Sequence, residues 1–173
     1  MVMRHRLTAF TVVLLLVAGG ALAQTCKYDS IGATAPASRF ADNGDGTATD
    51  RATGLQWKRC SEGQTWSGGT CTENAAGYNW QAALQRAEAA SFAGKDDWRL
   101  PNVNELTSIV EEACYDPSID LSVFPATPSA WYWSSSPYAS IADLAWYVSF
   151  YGGYDGDNYK YFDYPVRLVR GGQ

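Results

Sequence analysis

Four cysteines constrain this chain more than any other feature of its sequence. Cys26, Cys60, Cys71 and Cys114 are the only ones in 173 residues, and none of them lies in a Cys-x-x-Cys pair. In an exported chain an even number of cysteines predicts two disulfides, for which three connectivities exist. Cys60 and Cys71 flank a segment rich in Gly, Ser and Thr, so we expect them to pair locally. Cys26 would then pair with Cys114 and fasten the N-terminal segment to the domain, whereas a reactive thiol pair is the alternative.

The first 23 residues predict export. Arg4 and Arg6 precede a largely apolar stretch over residues 7–17, and small residues at Ala21 and Ala23 follow it. This stretch is too short to span a bilayer, so residues 1–23 are predicted to be a signal peptide cleaved near Ala23. The mature protein would then lie in the periplasm, on the cell surface or in the medium, with no transmembrane segment. A lipid anchor on Cys26 is the alternative.

Charge and histidine content exclude several classes of function. The mature chain would carry 11 basic and 18 acidic residues, a net charge of −7, since Arg4 and Arg6 are removed. Such a surface disfavours nucleic acid as a partner, because phosphate binding needs Lys and Arg. The only histidine, His5, lies in the predicted signal peptide. The mature chain would therefore have no imidazole for a catalytic triad or a zinc site, and we expect no enzyme activity, no cofactor and no metal.

The segment after residue 38 predicts a hairpin. Asn43-Gly44 and Asp45-Gly46 are pairs that favour positive φ, so they predict a tight turn. Short strands are expected near residues 47–49 and 55–58, joined through residues 50–54. A calcium loop is the alternative for the acidic turn, although Gly44 and Gly46 interrupt the alternating oxygen ligands that it needs.

Two helices are predicted from their caps and their apolar spacing. Asn79 can cap a helix whose apolar residues fall on one face: Trp80, Ala83, Leu84 and Ala87. Asn102 can cap a second helix, with Glu105 in the capping-box position. Its expected buried stripe is Val103, Leu106, Ile109 and Val110. Glu111 and Glu112 are expected on a solvated face.

The C-terminal third is rich in aromatic residues. Residues 131–136 predict a buried strand that leads into a serine turn, and residues 166–170 predict a regular closing strand. Residues 145–151 alternate with period two, which predicts a core face of Trp146, Val148 and Phe150 and an outward face of Tyr147, Ser149 and Tyr151. Six tyrosines lie from Tyr147 to Tyr164, among Asp, Gly, Asn and Ser. That mixture is typical of binding surfaces, and packing of the loop on its own domain is the alternative.

Several motifs in order resemble one family. They are residues 40–47 (Phe-Ala-Asp-Asn-Gly-Asp-Gly-Thr), 53–57 (Thr-Gly-Leu-Gln-Trp), 98–102 (Trp-Arg-Leu-Pro-Asn), 133–136 (Trp-Ser-Ser-Ser) and 166–172. Together they resemble the Lcl C-terminal domain family, named after a collagen-like bacterial adhesin. The resemblance implies an α+β, C-type-lectin-like fold with two helices and short antiparallel strands. We therefore expect an extended N-terminal lead-in over residues 24–38 and a single domain over residues 39–173.

The tail from Ser134 to Gln173 also resembles the variable proteins diversified by retroelements. In those proteins, adenine-directed mutagenesis converts Asn codons into codons for a limited set of residue types. Within the segment 140–164, residues of these types are found here at the following positions: Ser140, Ile141, Ala142, Asp143, Leu144, Tyr147, Ser149, Tyr151, Gly152, Tyr154, Gly156, Asp157, Asn158, Tyr159, Tyr161, Phe162, Asp163 and Tyr164. All except Ala142, Gly152 and Gly156 are candidate ligand-binding residues by this resemblance. The scaffold between them would be Trp146, Val148, Phe150, Gly153, Asp155 and Lys160.

These observations predict a binding module. We expect a Tyr-rich, diversified surface that recognises a protein or glycan ligand on a cell or phage surface. A fixed carbohydrate-binding adhesin of the bacterial surface is the alternative, and an envelope-associated structural domain is a third. The chain departs from sugar-binding C-type lectins because it has no Glu-Pro-Asn or Gln-Pro-Asp motif.

Overall fold

Both disulfides pair as predicted. The structure is a computed structural model that describes residues 24–171, so the predicted signal peptide lies outside the described residues. Cys26 is bonded to Cys114 and Cys60 to Cys71, which leaves no free thiol among the described residues. With its sulfur in a disulfide, Cys26 does not offer the free thiol that a lipid anchor would require.

The described chain forms small antiparallel sheets and two helices, which is the content of an α+β fold. The strands are β1 Thr25–Cys26, β2 Phe40–Asp42, β3 Thr47–Asp50, β4 Gln56–Lys58, β5 Thr65–Ser67, β6 Thr70–Thr72, β7 Cys114–Tyr115, β8 Trp131–Pro137, β9 Leu144–Ser149, β10 Tyr154–Tyr159 and β11 Val169–Arg170. The helices are α1 Trp80–Glu88 and α2 Val103–Thr107. Neither helix is long and apolar enough to cross a membrane.

The predicted hairpin is present in a four-stranded sheet with the order β11-β4-β3-β2. The turn between β2 and β3 contains Gly44 at φ 79° and Gly46 at φ 86°, the left-handed values that glycine adopts without strain. Asp45 accepts hydrogen bonds from the backbone and hydroxyl of Thr47, and Asp42 pairs with Arg59. These carboxylates therefore serve the turn and an ion pair.

The second sheet has the order β10-β9-β8 and is antiparallel throughout. Its register pairs Trp131 with Ser149 and Ser149 with Tyr154. The expected serine turn is wrong: Ser134–Ser136 continue β8, with a bulge between Trp133 and Pro137. The Ser134 hydroxyl donates to the Trp146 carbonyl, which keeps the bulged strand attached to β9.

Both helices begin where they were predicted. The Asn79 side chain accepts from the Ala82 N–H, and Asn102 and Glu105 form the complete capping box at α2. α2 ends at Thr107, so Ile109 and Val110 lie beyond it, but both are buried as expected.

Glu111 is not on a solvated face. Its side chain is fully buried and accepts from the N–H groups of Thr34, Ala35 and Ala113 at 3.0–3.1 Å, while Glu112 is exposed. Helical periodicity predicted that Glu111 faces solvent. The sequence does not reveal that the N-terminal segment folds back and covers this side chain. Glu111 thereby attaches that segment to the domain.

Two further sequence expectations differ from the structure. The lead-in is not uniformly extended, because it contains a turn at Lys27–Ile31 and a 3-10 helix at Ala37–Arg39. The closing strand is regular only at Val169–Arg170, which pairs with β4. Residues 166–168 are nevertheless buried, and the Arg167 guanidinium donates to the carbonyls of Lys58 and Arg59.

The core has two parts that meet at the β8-β9-β10 sheet. Tyr132, Val148 and Phe150 belong to the first part, together with α2. Trp133, Ala145 and Tyr147 belong to the second, together with α1 and residues 166–168. The sheet is therefore covered on both faces along β8 and β9, and β10 is its open edge.

Candidate ligand-binding surface

The exposed apolar side chains concentrate in one part of the chain. Ten large hydrophobic side chains are exposed among the described residues, and seven of them lie between residues 131 and 162: Trp131, Ile141, Tyr151, Tyr154, Tyr159, Tyr161 and Phe162. Six of these seven were predicted as ligand-binding residues. Trp131 was assigned to a buried strand, but it is 38% exposed because it lies at the beginning of β8.

Ring contacts connect four of these side chains with the less exposed Tyr147 and Tyr164 into one layer. We call this layer the aromatic surface; its members are Trp131, Tyr147, Tyr159, Tyr161, Phe162 and Tyr164. Trp131 stacks on Tyr147 with centroids 5.0 Å apart, and Tyr164 meets the edges of both. Phe162 stacks on Tyr164 at 6.2 Å and is tilted against Tyr161 at 4.6 Å. Tyr161 stacks on Tyr159 at 5.4 Å. Its outer members present flat ring faces in a fixed arrangement.

Three predicted site residues are buried. Tyr147 is 8% exposed, Leu144 is 8% exposed and Ser149 is fully buried, so the expected outward face of β9 is wrong. The register places Tyr147 beside Trp133, on the face that α1 and residues 162–164 cover. Period-two alternation predicts a solvated face only when one side of the sheet is open, and β9 is covered on both sides.

The remaining predicted residues fall into two groups at opposite ends of the sheet. Ser140, Ile141 and Asp143 are exposed in the turn between β8 and β9, which contacts the end of β10 through a hydrogen bond from Lys160 N–H to the Asp143 carbonyl. Tyr151 and Tyr154 lie at the other end, where β10 begins. Asn158 is partly buried, and its amide donates to the Tyr164 hydroxyl at 2.6 Å. Tyr164 and Phe162 lie between the two ends.

A shallow groove lies at the Tyr154 end. Its volume is about 470 Å³, and its lining consists of Ser129, Ala130, Trp131, Tyr151, Tyr154, Asp163, Tyr164 and Pro165. Four of these eight residues are aromatic. A volume of this order is ample for a side chain or one sugar ring.

Unpaired carboxylates surround this part of the sheet. Asp155, Asp157 and Asp163 are exposed, and within residues 24–171 none of them forms an ion pair or accepts a side-chain hydrogen bond. Burial raises the pKa of Tyr147, and Tyr154, Asp157 and Asp155 add to that effect. Burial also raises the pKa of Tyr164, although its hydrogen bond with Asn158 opposes the rise. Both phenols therefore stay protonated near neutral pH, and the Tyr164 hydroxyl accepts the hydrogen bond from Asn158.

Comparison with known proteins decides the family. The family model described as the Lcl C-terminal domain matches residues 46–170, which is well over half of the chain. This chain belongs to the Lcl C-terminal domain family. The match includes the Trp-Arg-Leu-Pro-Asn motif, the Trp-Ser-Ser-Ser motif and the whole aromatic surface. Neither the curated proteins nor the solved structures gave a match.

Two glycines of this Lcl C-terminal domain shape the surface. Gly153 has φ 76°, and a Cβ there would lie 3.0 Å from the Val110 Cγ1, so glycine is required by backbone and by packing. At Gly156 a Cβ would lie 2.6 Å from the Tyr147 hydroxyl oxygen. Any larger residue at position 156 would therefore displace the Tyr147 ring from its stack with Trp131.

Lys160 is the basic residue nearest to the centre of the aromatic surface, and it is already engaged. Its Nζ lies 4.3 Å from the Trp80 ring centroid and donates to the Ala142 carbonyl at 2.5 Å. These contacts hold the end of β10 against α1 and the β8-β9 turn. Sequence reasoning placed Lys160 in the scaffold, and in this Lcl domain its Nζ is engaged by groups of the domain itself.

A larger cavity of the Lcl domain lies elsewhere. It has a volume of about 630 Å³ between α1 and the start of α2, and Arg99 and Glu105 are its charged lining residues together with Glu88. Arg99 and Glu105 form two hydrogen bonds to each other at 2.7 Å. Since this ion pair is satisfied internally and serves the capping box, the cavity has little charge left for a ligand.

Several residue types that often act in catalysis are missing from the described part of the domain. Residues 24–171 contain no histidine and no free cysteine. No group of three His, Cys, Asp or Glu side chains is arranged there to hold a metal ion. The surface itself offers aromatic faces, phenol hydroxyls and carboxylates.

Proposed function

We propose that this protein is an exported ligand-binding module of C-type-lectin-like fold that presents its aromatic surface to a protein or glycan ligand on a cell or phage surface. One observation carries the proposal: the exposed rings of Tyr159, Tyr161 and Phe162 contact one another in a row that continues through Tyr164 to Trp131. Buried aromatic side chains supply most of the free energy at many interfaces, and rings already held in place lose little conformational entropy on binding. The two disulfides support export, because such bonds persist in oxidising compartments.

A direct binding experiment tests this proposal. The oxidised protein is applied to a glycan array and used to select from a displayed peptide library. A triple variant, Tyr151→Ser, Tyr159→Ser and Tyr161→Ser, serves as the comparison, because these side chains are 56%, 48% and 69% exposed. We expect each selected ligand to lose most of its affinity for the triple variant. Ligands that bind both proteins equally would contradict the proposal.

We further propose that a retroelement diversifies the exposed positions of residues 140–164. Substitutions at the exposed candidate positions would change the ligand-binding surface without altering the core. The proposed fixed residues Val148 and Phe150, in contrast, are fully buried. Gly153, also proposed as fixed, has no room for a side chain. A separation of variable and fixed positions along these lines is what a diversified receptor needs.

Sequencing the 3′ end of the gene and its flanking DNA across a population tests diversification. Substitutions concentrated at exposed positions such as Tyr154, Asp157 and Tyr161, beside a reverse transcriptase gene and a template repeat, are the expected result. An invariant 3′ end without these neighbours would refute diversification and leave a fixed binding protein.

A fixed carbohydrate-binding adhesin is the second candidate. Tyr159 and Tyr161 favour it, because their rings are exposed and nearly parallel, with an interplanar angle of 17°. Sugar rings pack against such flat aromatic faces. Binding of one glycan class on the array, with no peptide selected, would favour this candidate over a protein ligand.

A further inference from the structure

The groove at the Tyr154 end combines aromatic walls with negative charge. Trp131 and Tyr154 lie on the two sides of Ser149 in the sheet register, so their side chains share one face of the sheet. Tyr151 and Tyr164 add two more rings, and Asp163 is the lining residue with a charge. Aromatic faces attract cations through their quadrupole, and a nearby carboxylate strengthens that attraction.

The surrounding charge has one sign. Residues 129–165 contain four aspartates, at 143, 155, 157 and 163, and a single basic residue, Lys160. The Nζ of Lys160 is held at Trp80 and at the Ala142 carbonyl. Among the described residues, no cation therefore neutralises Asp155, Asp157 or Asp163. Asp163 lines the groove, whereas Asp155 and Asp157 lie on β10 at positions paired with Val148 and Trp146, on the other face of the sheet.

A buried hydroxyl beside the groove lacks a partner. Ser149 is fully buried between Trp131 and Tyr154 in the register, and no hydrogen bond from a described residue reaches its Oγ. Most buried polar atoms in proteins have a partner, and one without a partner costs free energy. Ser149 is not in the lining of the groove, so its Oγ lies beneath the groove and is not a direct ligand contact.

We propose that the groove lined by Trp131, Tyr154 and Asp163 binds the cationic side chain of an Arg or Lys residue on a protein ligand. This inference rests on the proposed function, because it names the chemistry that the aromatic surface recognises. Charge complementarity decides the occupant: the rings attract a cation, the exposed Asp163 carboxylate in the groove lining neutralises it, and the groove volume of about 470 Å³ accommodates one long side chain. The guanidinium of Arg suits the groove best, because it can stack on a ring while it donates to Asp163.

Short peptides test the occupant directly. The probes are acetyl-Gly-Arg-Gly-amide and the same peptide with citrulline, which keeps the shape of arginine without its charge. They are titrated into the oxidised, ¹⁵N-labelled protein, and the Trp131 indole and Tyr154 amide signals are followed by NMR. We expect the Arg peptide to shift both signals and the citrulline peptide to bind at least about two- to five-fold more weakly, the factor expected for one exposed cation–π or ion-pair contact. Equal affinities, or shifts centred outside the groove, would overturn the inference.

Matched variants locate the charge effect. Asp163→Asn is expected to weaken binding of the Arg peptide about two- to five-fold. Asp143→Asn removes the same charge from an exposed residue outside the groove and is expected to change the affinity much less. Tyr154→Leu should weaken binding, whereas Tyr115→Leu, which removes a similarly exposed tyrosine that does not line the groove, should not. If both aspartate variants weaken binding equally, the groove is not the site.

The two proposals can fail separately. If neither peptide shifts the groove signals while selected ligands still require Tyr151, Tyr159 and Tyr161, the cationic occupant is wrong and the binding function stands. If selected ligands bind the triple variant normally, the binding function of the aromatic surface is wrong as well. A glycan ligand that competes with the Arg peptide at Trp131 would overturn the assignment of a protein side chain as the natural occupant.

Discussion

Tyr147 shows how one side chain links the core to the surface. The residue is 8% exposed, its ring stacks on Trp131, and its edge meets Tyr164. We expect Tyr147→Ala to lower the free energy of unfolding by about 3 kcal/mol, because truncation of a buried aromatic ring leaves a cavity. Urea denaturation followed by circular dichroism measures the loss.

Tyr161→Ala is the matched control at the residue scale. Tyr161 also lies in the aromatic surface, but it is 69% exposed. Its replacement should change the free energy of unfolding by no more than about 0.5 kcal/mol, as at most surface positions. A loss at position 161 as large as the loss at position 147 would mean that the outer rings belong to the core.

At the scale of elements, the capping box at the start of α2 makes the stability of the fold depend on pH. Burial raises the pKa of Glu105, but hydrogen bonds from Arg99 and from the Asn102 N–H lower it further than burial raises it. A carboxylate with a lowered pKa stabilises the fold fully above its ordinary pKa of 4.5. It loses that contribution as the pH falls through the lower pKa that it has in the folded state. We therefore expect stability to fall below about pH 4.5, and Glu105→Gln to make that fall less steep.

Glu112→Gln provides the comparison for the acid dependence. Glu112 is exposed, and no described residue hydrogen-bonds or ion-pairs with its carboxylate. The denaturation midpoint is measured between about pH 5 and pH 3 for each protein. The midpoints of Glu112→Gln should change with pH as those of the unmodified protein do, whereas the midpoints of Glu105→Gln should change less. Parallel pH profiles for the two variants would show that the capping box does not carry the effect.

The elements that local chemistry defines were predictable from the sequence. Asn79, Asn102 and the glycines of the Asn43–Gly46 turn act on neighbours a few residues away, so their roles can be inferred without knowing the rest of the fold. Burial could not be inferred in the same way. Tyr147 and Glu111 are covered by segments distant in sequence: residues 162–164 contact the first, and Thr34 and Ala35 contact the second. Alternation and helical periodicity describe one element, whereas these contacts depend on how elements meet.

At the scale of the whole molecule, the two disulfides close loops of very different length. Cys26–Cys114 spans 88 residues of sequence and Cys60–Cys71 spans 11. In the chain-entropy model the longer loop restricts the unfolded chain more, by about 2 kcal/mol in free energy. We expect the Cys26→Ser, Cys114→Ser variant to be less stable than the Cys60→Ser, Cys71→Ser variant by about that amount in urea denaturation. The opposite order would mean that effects on the folded state outweigh the chain entropy.

A domain that carries a replaceable surface must keep that surface separate from its core. Four exposed tyrosines, at positions 151, 154, 159 and 161, can be replaced together by serine to test this separation. We expect the quadruple variant to keep its circular dichroism spectrum and to lose less than about 2 kcal/mol of unfolding free energy, since surface substitutions are small and nearly additive. Val148→Ser, a single change at a fully buried position of β9, should cost more than all four together. If the quadruple variant unfolds instead, the tyrosines hold the β8-β9-β10 sheet together, and their replacement by diversification would be incompatible with the fold.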